Sequence, residues 1–130
     1  MNSVSRTLLI FSALIFVSPA IAAELCGLAY GTWQDLFQQL QANQKLKEIP
    51  SSPGFKAYSA EAGRTWTITQ VGNRAHPAVA CRSLIGPEGA FKVETRLACF
   101  ASKSDCDKLA DGYRRLDEEM SAELKKRRSP

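Results

Sequence analysis

Disulfide bonding is the strongest constraint that this sequence places on its fold. All four cysteines of the 130-residue chain follow an N-terminal apolar segment: Cys26, Cys81, Cys99 and Cys106. An even number of cysteines in a small exported domain predicts disulfides, because the compartment oxidises thiols and the core is small. Of the three possible pairings we favour Cys99–Cys106 with Cys26–Cys81. The first bond would clamp a strand-to-helix corner, and the second would fix a chain end that otherwise frays.

The N-terminal segment, residues 1–23, has the layout of a secretory signal peptide. Arg6 precedes an apolar run that Pro19 breaks, and small residues follow as at a cleavage site. The run is too short for a membrane-spanning helix, which needs about 20 residues. We expect cleavage after Ala22 or Ala23 and a periplasmic or secreted, soluble protein.

The remainder predicts one domain, residues 24–126, followed by a loose basic tail, residues 127–130. The chain has 17 basic and 13 acidic residues, a formal net charge of +4. Export argues against a nucleic-acid partner for this mild positive charge and leaves anionic surfaces as an alternative. The basic cluster 125–128 could touch such a surface, but it equally suits the C-terminus of a helix.

Two amphipathic helices are predicted. Residues 30–47 place Trp33, Leu36, Phe37 and Leu40 on one face, and Thr32 can cap the start. Residues 104–126 carry the longer apolar stripe, which we expect to be buried. Its members are Cys106, Leu109, Tyr113, Leu116, Met120 and Leu124.

Two hairpins are predicted between the helices, over residues 55–71 and 78–100. In the second, we centre the turn on Glu88 within Gly86–Gly89, which places Val79 and Cys81 on the same covered face as Val93, Leu97 and Cys99. The predicted fold class is therefore α+β. A small antiparallel sheet of three to four strands would carry both helices on one face, in the order α-β-β-β-β-α, stapled by disulfides.

His76 is the only histidine and the candidate catalytic residue. On an extended strand, His76 and Cys81 would lie on opposite faces, roughly 16 Å apart. A dyad of His76 with Cys99, or with a carboxylate such as Glu61, is the enzymatic alternative, and it needs a free thiol or a pocket at His76. We expect instead that His76-Pro77 is a loop entering a strand.

No metal site or cofactor is predicted, because the chain has one histidine and lacks ligand spacings such as C-x-x-C. The aromatic residues Trp33, Phe37 and Trp66 would line an apolar pocket or, more simply, the core. Thr65, Thr67 and Thr69 are expected on the wet face of a strand.

The sequence thus predicts a small exported, non-enzymatic binding or accessory protein of unknown specificity. A protein is the expected partner, recognised through a contiguous exposed apolar patch. One alternative is an enzyme centred on His76. The other is a binder of anionic membranes or cell-wall surfaces through the basic tail, with peripheral membrane contact only.

Overall fold

The computed structural model describes residues 23–43 and 45–128. The predicted signal peptide, up to Ala22, lies outside the described residues, as do Ser129 and Pro130 of the predicted tail. Seven strands and two α-helices are present in the described part. In chain order they are β1 (Ala23–Leu25), β2 (Leu28–Tyr30), α1 (Trp33–Ala42), β3 (Lys47–Ile49), β4 (Phe55–Ser59), β5 (Thr65–Thr69), β6 (Ala78–Ile85), β7 (Lys92–Cys99) and α2 (Lys103–Arg128).

The α+β class is as predicted, but the strand count and order are not. β1 and β2 form a separate two-stranded hairpin, and β3 to β7 form a five-stranded antiparallel sheet in sequential order. The first hairpin turns at Cys26 and Gly27, with φ of 48° and 89°. These are the positive φ values that a two-residue turn of this twist requires.

Helix α1 is shorter than the predicted residues 30–47, because strands take both of its ends. Tyr30 pairs with Ala23 in the first hairpin, and Lys47 pairs with Ser59 at the edge of the sheet. The Thr32 side chain caps α1 by accepting the Asp35 amide at 3.1 Å, as the sequence indicates.

The β6–β7 hairpin is shifted by one residue from the predicted register. Ile85 pairs with Lys92 across a loop of even length, whereas a turn centred on Glu88 implies an odd one. A shift of one residue moves every side chain of a strand to the opposite face. Cys99 therefore lies opposite Ala78, and the predicted common face is wrong.

The two helices consequently cover opposite faces of the sheet, not one face. α1 inserts Leu36 and Leu40 into a core formed with Trp66, Ile68 and Val79. The register places Ala80, Val93 and Leu97 on the other face, where α2 packs along β7. Both faces hold buried side chains, so the domain has three layers, helix on sheet on helix.

Helix α2 is attached to the edge of the sheet by polar side chains. Ser121 accepts the Val93 amide at 2.9 Å, and Asp117 accepts the Thr95 amide at 2.7 Å. Two strand residues and four helix residues both span about 6–7 Å, so the donors and acceptors match in spacing. These bonds occupy amides that an edge strand otherwise leaves unpaired.

The predicted buried stripe of α2 is wrong at two positions. Leu116 and Met120 are 39% and 36% exposed, and no residue of α2 is fully buried. The side turned towards β7 carries Asp117 and Ser121 in their place. The predicted loose tail also begins too early, because Arg127 and Arg128 belong to the helix and Arg128 donates to the carbonyls of Gly89 and Phe91.

Two disulfides join the cysteines in the pairing favoured by the sequence. Cys26–Cys81 ties the turn of the first hairpin to the buried centre of β6. Cys99–Cys106 joins the end of β7 to the start of α2, across a separation of seven residues.

We expect the two disulfides to stabilise the domain unequally. Replacing Cys26 and Cys81 by alanine should lower the free energy of unfolding by about 4 kcal/mol, because that bond closes the longer loop. The same change at Cys99 and Cys106 should cost about 2 kcal/mol. Urea denaturation of the two double variants measures both values, and equal losses would contradict the loop-closure argument.

Candidate functional site

His76 lies in the scaffold, with its ring half-buried against the edge of Trp33. Its Nδ1 lies 3.0 Å from the Thr69 carbonyl oxygen and 2.9 Å from Thr69 Oγ1. A carbonyl only accepts, so Nδ1 carries a hydrogen and donates. Thr69 Oγ1 in turn accepts the Ala78 amide at 2.8 Å, so His76 helps to fix the start of β6.

Neither predicted partner of His76, Cys99 or Glu61, is available to form a catalytic dyad with it. Cys99 is bonded to Cys106, which removes the free thiol that a Cys99–His76 dyad needs. Glu61 lies in a turn between β4 and β5 and pairs with Lys45 at 3.6 Å. Across residues 23–43 and 45–128, the hydrogen-bond partners of the His76 ring are both on Thr69.

The other residues singled out from the sequence divide between core and surface. Trp66 is 4% exposed in the core, while Trp33 and Phe37 stack on each other and are half-buried. The threonine face is not wet as predicted: Thr69 is buried, and Thr65 and Thr67 are half-buried on the side of α2. The described chain contains no group of metal-binding side chains and no helix long and apolar enough to cross a membrane.

The basic end of α2 is partly engaged within the domain. Arg127 pairs with Glu123 at 3.3 Å, and Arg128 bonds to the carbonyls of the β6–β7 loop. The Arg128 contacts hold the helix end against the hairpin, while the Arg127–Glu123 pair lies within the helix.

The candidate site is the groove between α2 and strands β3 to β5, which we call the α2 groove. Because α2 follows β7, it leaves the β3–β5 half of the same sheet face without a covering helix. The groove has a volume of about 300 Å³. Its lining residues are Ile49, Pro50, Ser51, Ser52, Phe55, Ala57, Thr65, Thr67, Arg82, Tyr113 and Leu116.

One basic side chain, Arg82, lies among these apolar and hydroxyl side chains. Its Nε is 3.6 Å from Asp117 Oδ1 and 3.4 Å from Thr95 Oγ1, and its guanidinium carbon lies 5.8 Å from the centre of the Tyr113 ring. Asp117 contacts Thr95 more closely, at 2.7 Å through each oxygen. Asp117 therefore orients Arg82 while most of its own hydrogen bonding is to Thr95.

Tyr113 lies beside Arg82 and also lines the groove. Burial raises the pKa of the Tyr113 phenol, and the nearby Thr67 hydroxyl and Arg82 guanidinium oppose that rise. The phenol thus remains protonated at neutral pH, and its hydroxyl hydrogen-bonds with the Thr67 side chain.

A larger cavity, about 640 Å³, lies on the other side of α2, along the outer edge of β7. Side chains of both charge signs alternate around it, including Lys92, Glu94, Arg114 and Glu118. Such a mixed surface is typical of a solvated helix flank. The α2 groove differs in its charge, because Arg82 is its one charged lining residue and no carboxylate lines it.

Sequence reasoning missed the α2 groove, although one signal for it was present. The apolar stripe of α2 has polar Asp117 and Ser121 directly after Leu116 and Met120. Asp117 and Ser121 are four residues apart and form a row of polar side chains beside the apolar stripe. Such a row lets a helix bond to an exposed strand edge. Only the hairpin register brings Arg82 under α2.

Comparison with known proteins gives no match: no family model, no curated protein and no solved structure matches the chain.

We expect His76 to act on stability. His76→Ala removes the Trp33 contact and the Nδ1 donor, and should lower the free energy of unfolding by about 1–2 kcal/mol. His76→Asn retains an N–H donor near Nδ1 and should lose less. Chemical denaturation of both variants measures this, and an unchanged stability of His76→Ala would contradict the scaffold role.

Asp117 should matter more than an equivalent surface carboxylate. Asp117→Ala unpairs the Thr95 amide and hydroxyl and should cost about 2–3 kcal/mol of unfolding free energy. The matched control is Asp111→Ala on the same helix, whose exposed pair with Arg114 contributes below about 1 kcal/mol. If the two variants melt at the same temperature, Asp117 does not hold α2 in place.

Proposed function

We propose that this protein is an exported binding or accessory protein that holds a protein partner in the α2 groove. The observation that carries the proposal is the apolar wall of the groove, formed by Ile49 and Phe55 from the sheet side and Leu116 from the helix. These side chains line a concave surface that the domain itself leaves open.

Exposed apolar side chains extend this surface along α2. Leu116 and Met120 are one helical turn apart and both partly exposed. Leu84, 46% exposed, belongs to the same sheet face by its register. An apolar centre bordered by polar groups is the usual composition of a protein-binding surface.

The shape favours a segment of a protein over a folded domain. A volume of about 300 Å³ is at the lower end of ligand-site volumes, which suits one or two residues of a chain. The remaining contact would come from the flanking Leu84 and Met120. A peptide segment with apolar side chains satisfies both requirements.

The proposed location is the periplasm or the extracellular space, after removal of the predicted signal peptide. Two disulfides are consistent with an oxidising compartment. Ala23 begins β1, so cleavage after Ala22 would leave the first hairpin whole.

Photo-crosslinking in the cells that make the protein tests this function. A photoreactive amino acid at Phe55 should form a discrete adduct with a protein. Leu116→Asp should reduce that adduct about tenfold or more, because losing a central apolar contact costs more than about 1.4 kcal/mol.

Val71 provides the matched control. It is 89% exposed, aliphatic and outside the groove, so Val71→Asp should leave the adduct unchanged. Equal adduct formation from probes at Val71 and Phe55 would count against a specific groove. Loss of the adduct in both aspartate variants would show a general surface effect.

A further inference from the structure

Arg82 offers unused hydrogen-bond donors to the α2 groove. Its Nε side faces Asp117 and Thr95, as described, and the side chain is 21% exposed. Among the described residues, neither terminal nitrogen of Arg82 has a hydrogen-bond partner. A guanidinium has five N–H donors, and its terminal pair matches the two oxygens of a carboxylate.

The charge around these donors is positive on the groove side. No Asp or Glu lines the groove, and Asp117 lies outside its lining. The 3.6 Å separation between Arg82 and Asp117 is longer than either bond from Asp117 to Thr95, so Arg82 is only loosely paired. An anion in the groove would therefore meet a partly neutralised but attractive cation.

Hydroxyl groups extend this donor set. Thr65 is the register neighbour of Arg82 on β5 and lines the same groove. The Tyr113 phenol also lines it. The groove thus combines one cation with an apolar wall, formed by Ile49, Phe55 and Leu116. Five hydroxyl side chains complete its lining: Ser51, Ser52, Thr65, Thr67 and Tyr113.

We infer that the α2 groove binds the free C-terminus of its protein partner, with the terminal carboxylate on Arg82 and an apolar last side chain against Leu116. This rests on the proposed function and names the segment that the groove recognises. A C-terminal apolar residue carries a carboxylate and an apolar side chain on a single Cα. One such residue matches a small groove with one cation and one apolar wall.

Pools of labelled peptides test the inference on the unmodified protein. Each fluorescein-labelled peptide has seven randomised positions and one fixed last residue: Leu, Phe, Asp or Lys. Every pool is made with a free C-terminal carboxylate and with a C-terminal amide. Fluorescence polarisation should show binding of the Leu and Phe acids at least about tenfold tighter than the matched amides, a difference of about 1.4 kcal/mol.

Two variants assign the effect to Arg82. Arg82→Gln should abolish the preference for acid over amide, and Arg96→Gln should keep it. Arg96 is the matched control because it loses the same charge from a side chain that is 67% exposed and outside the groove. Thermal melts confirm folding of both, and the acid–amide comparison on the unmodified protein stands even where Arg82→Gln unfolds.

Four outcomes would overturn the inference. Equal binding of acids and amides would show that the terminal carboxylate is not recognised. Binding of the Asp amide pool as tightly as the Leu acid pool would show that a side-chain carboxylate suffices. If no pool binds, the ligand is not a peptide C-terminus. If Arg96→Gln loses the preference for acid over amide as fully as Arg82→Gln does, the preference depends on net charge alone. In each case a groove-specific adduct from the Phe55 probe would leave the proposed function standing, whereas its absence would remove the function itself.

Discussion

The position of α2 depends on two side-chain bonds to the edge of the sheet. Ser121 and Asp117 accept the amides of Val93 and Thr95, so the helix takes the place of a further strand beside β7. A helix packed by apolar side chains alone would move towards the middle of the sheet and cover it. Since polar bonds hold α2 at the edge, half of that face stays open and becomes the α2 groove. The same Asp117 orients Arg82 in its floor.

Local sequence signals predicted the elements better than their arrangement. The cap at Thr32, the two hairpin regions and the long final helix all follow from nearby residues. The short strands β1 to β3 were missed because each has three residues, too few for a periodic pattern. The arrangement of the elements depends on whether the β6–β7 loop has an even or an odd number of residues. With an even number of residues between Ile85 and Lys92, the apolar sets of β6 and β7 separate onto opposite faces, and each face then needs its own helix.

The candidate site was harder to predict than the fold, because its residues acquire their roles only from distant partners. Arg82 reads as a solvent-facing strand residue until the register places it near α2. The apolar stripe predicts that Leu116 is buried, but Asp117 is the residue that faces β7 and bonds to it. His76 attracts attention as the lone histidine, yet its ring bonds to Thr69 and supports the start of β6. A rare residue type, the single histidine, therefore indicated the site less reliably than the unused donors of Arg82 beside an apolar wall.

Helix α2 is also fastened at both ends, by the Cys99–Cys106 bond and by Arg128 on the β6–β7 loop. Its 26 residues form a rod about 39 Å long, supported near both ends and bonded along one side. These attachments oppose sliding along the sheet, lifting from it and rolling about the helix axis, because each movement would break the bonds from Asp117 and Ser121. Leu116 is therefore held at one distance from Phe55, and the domain itself sets both the width and the direction of the groove.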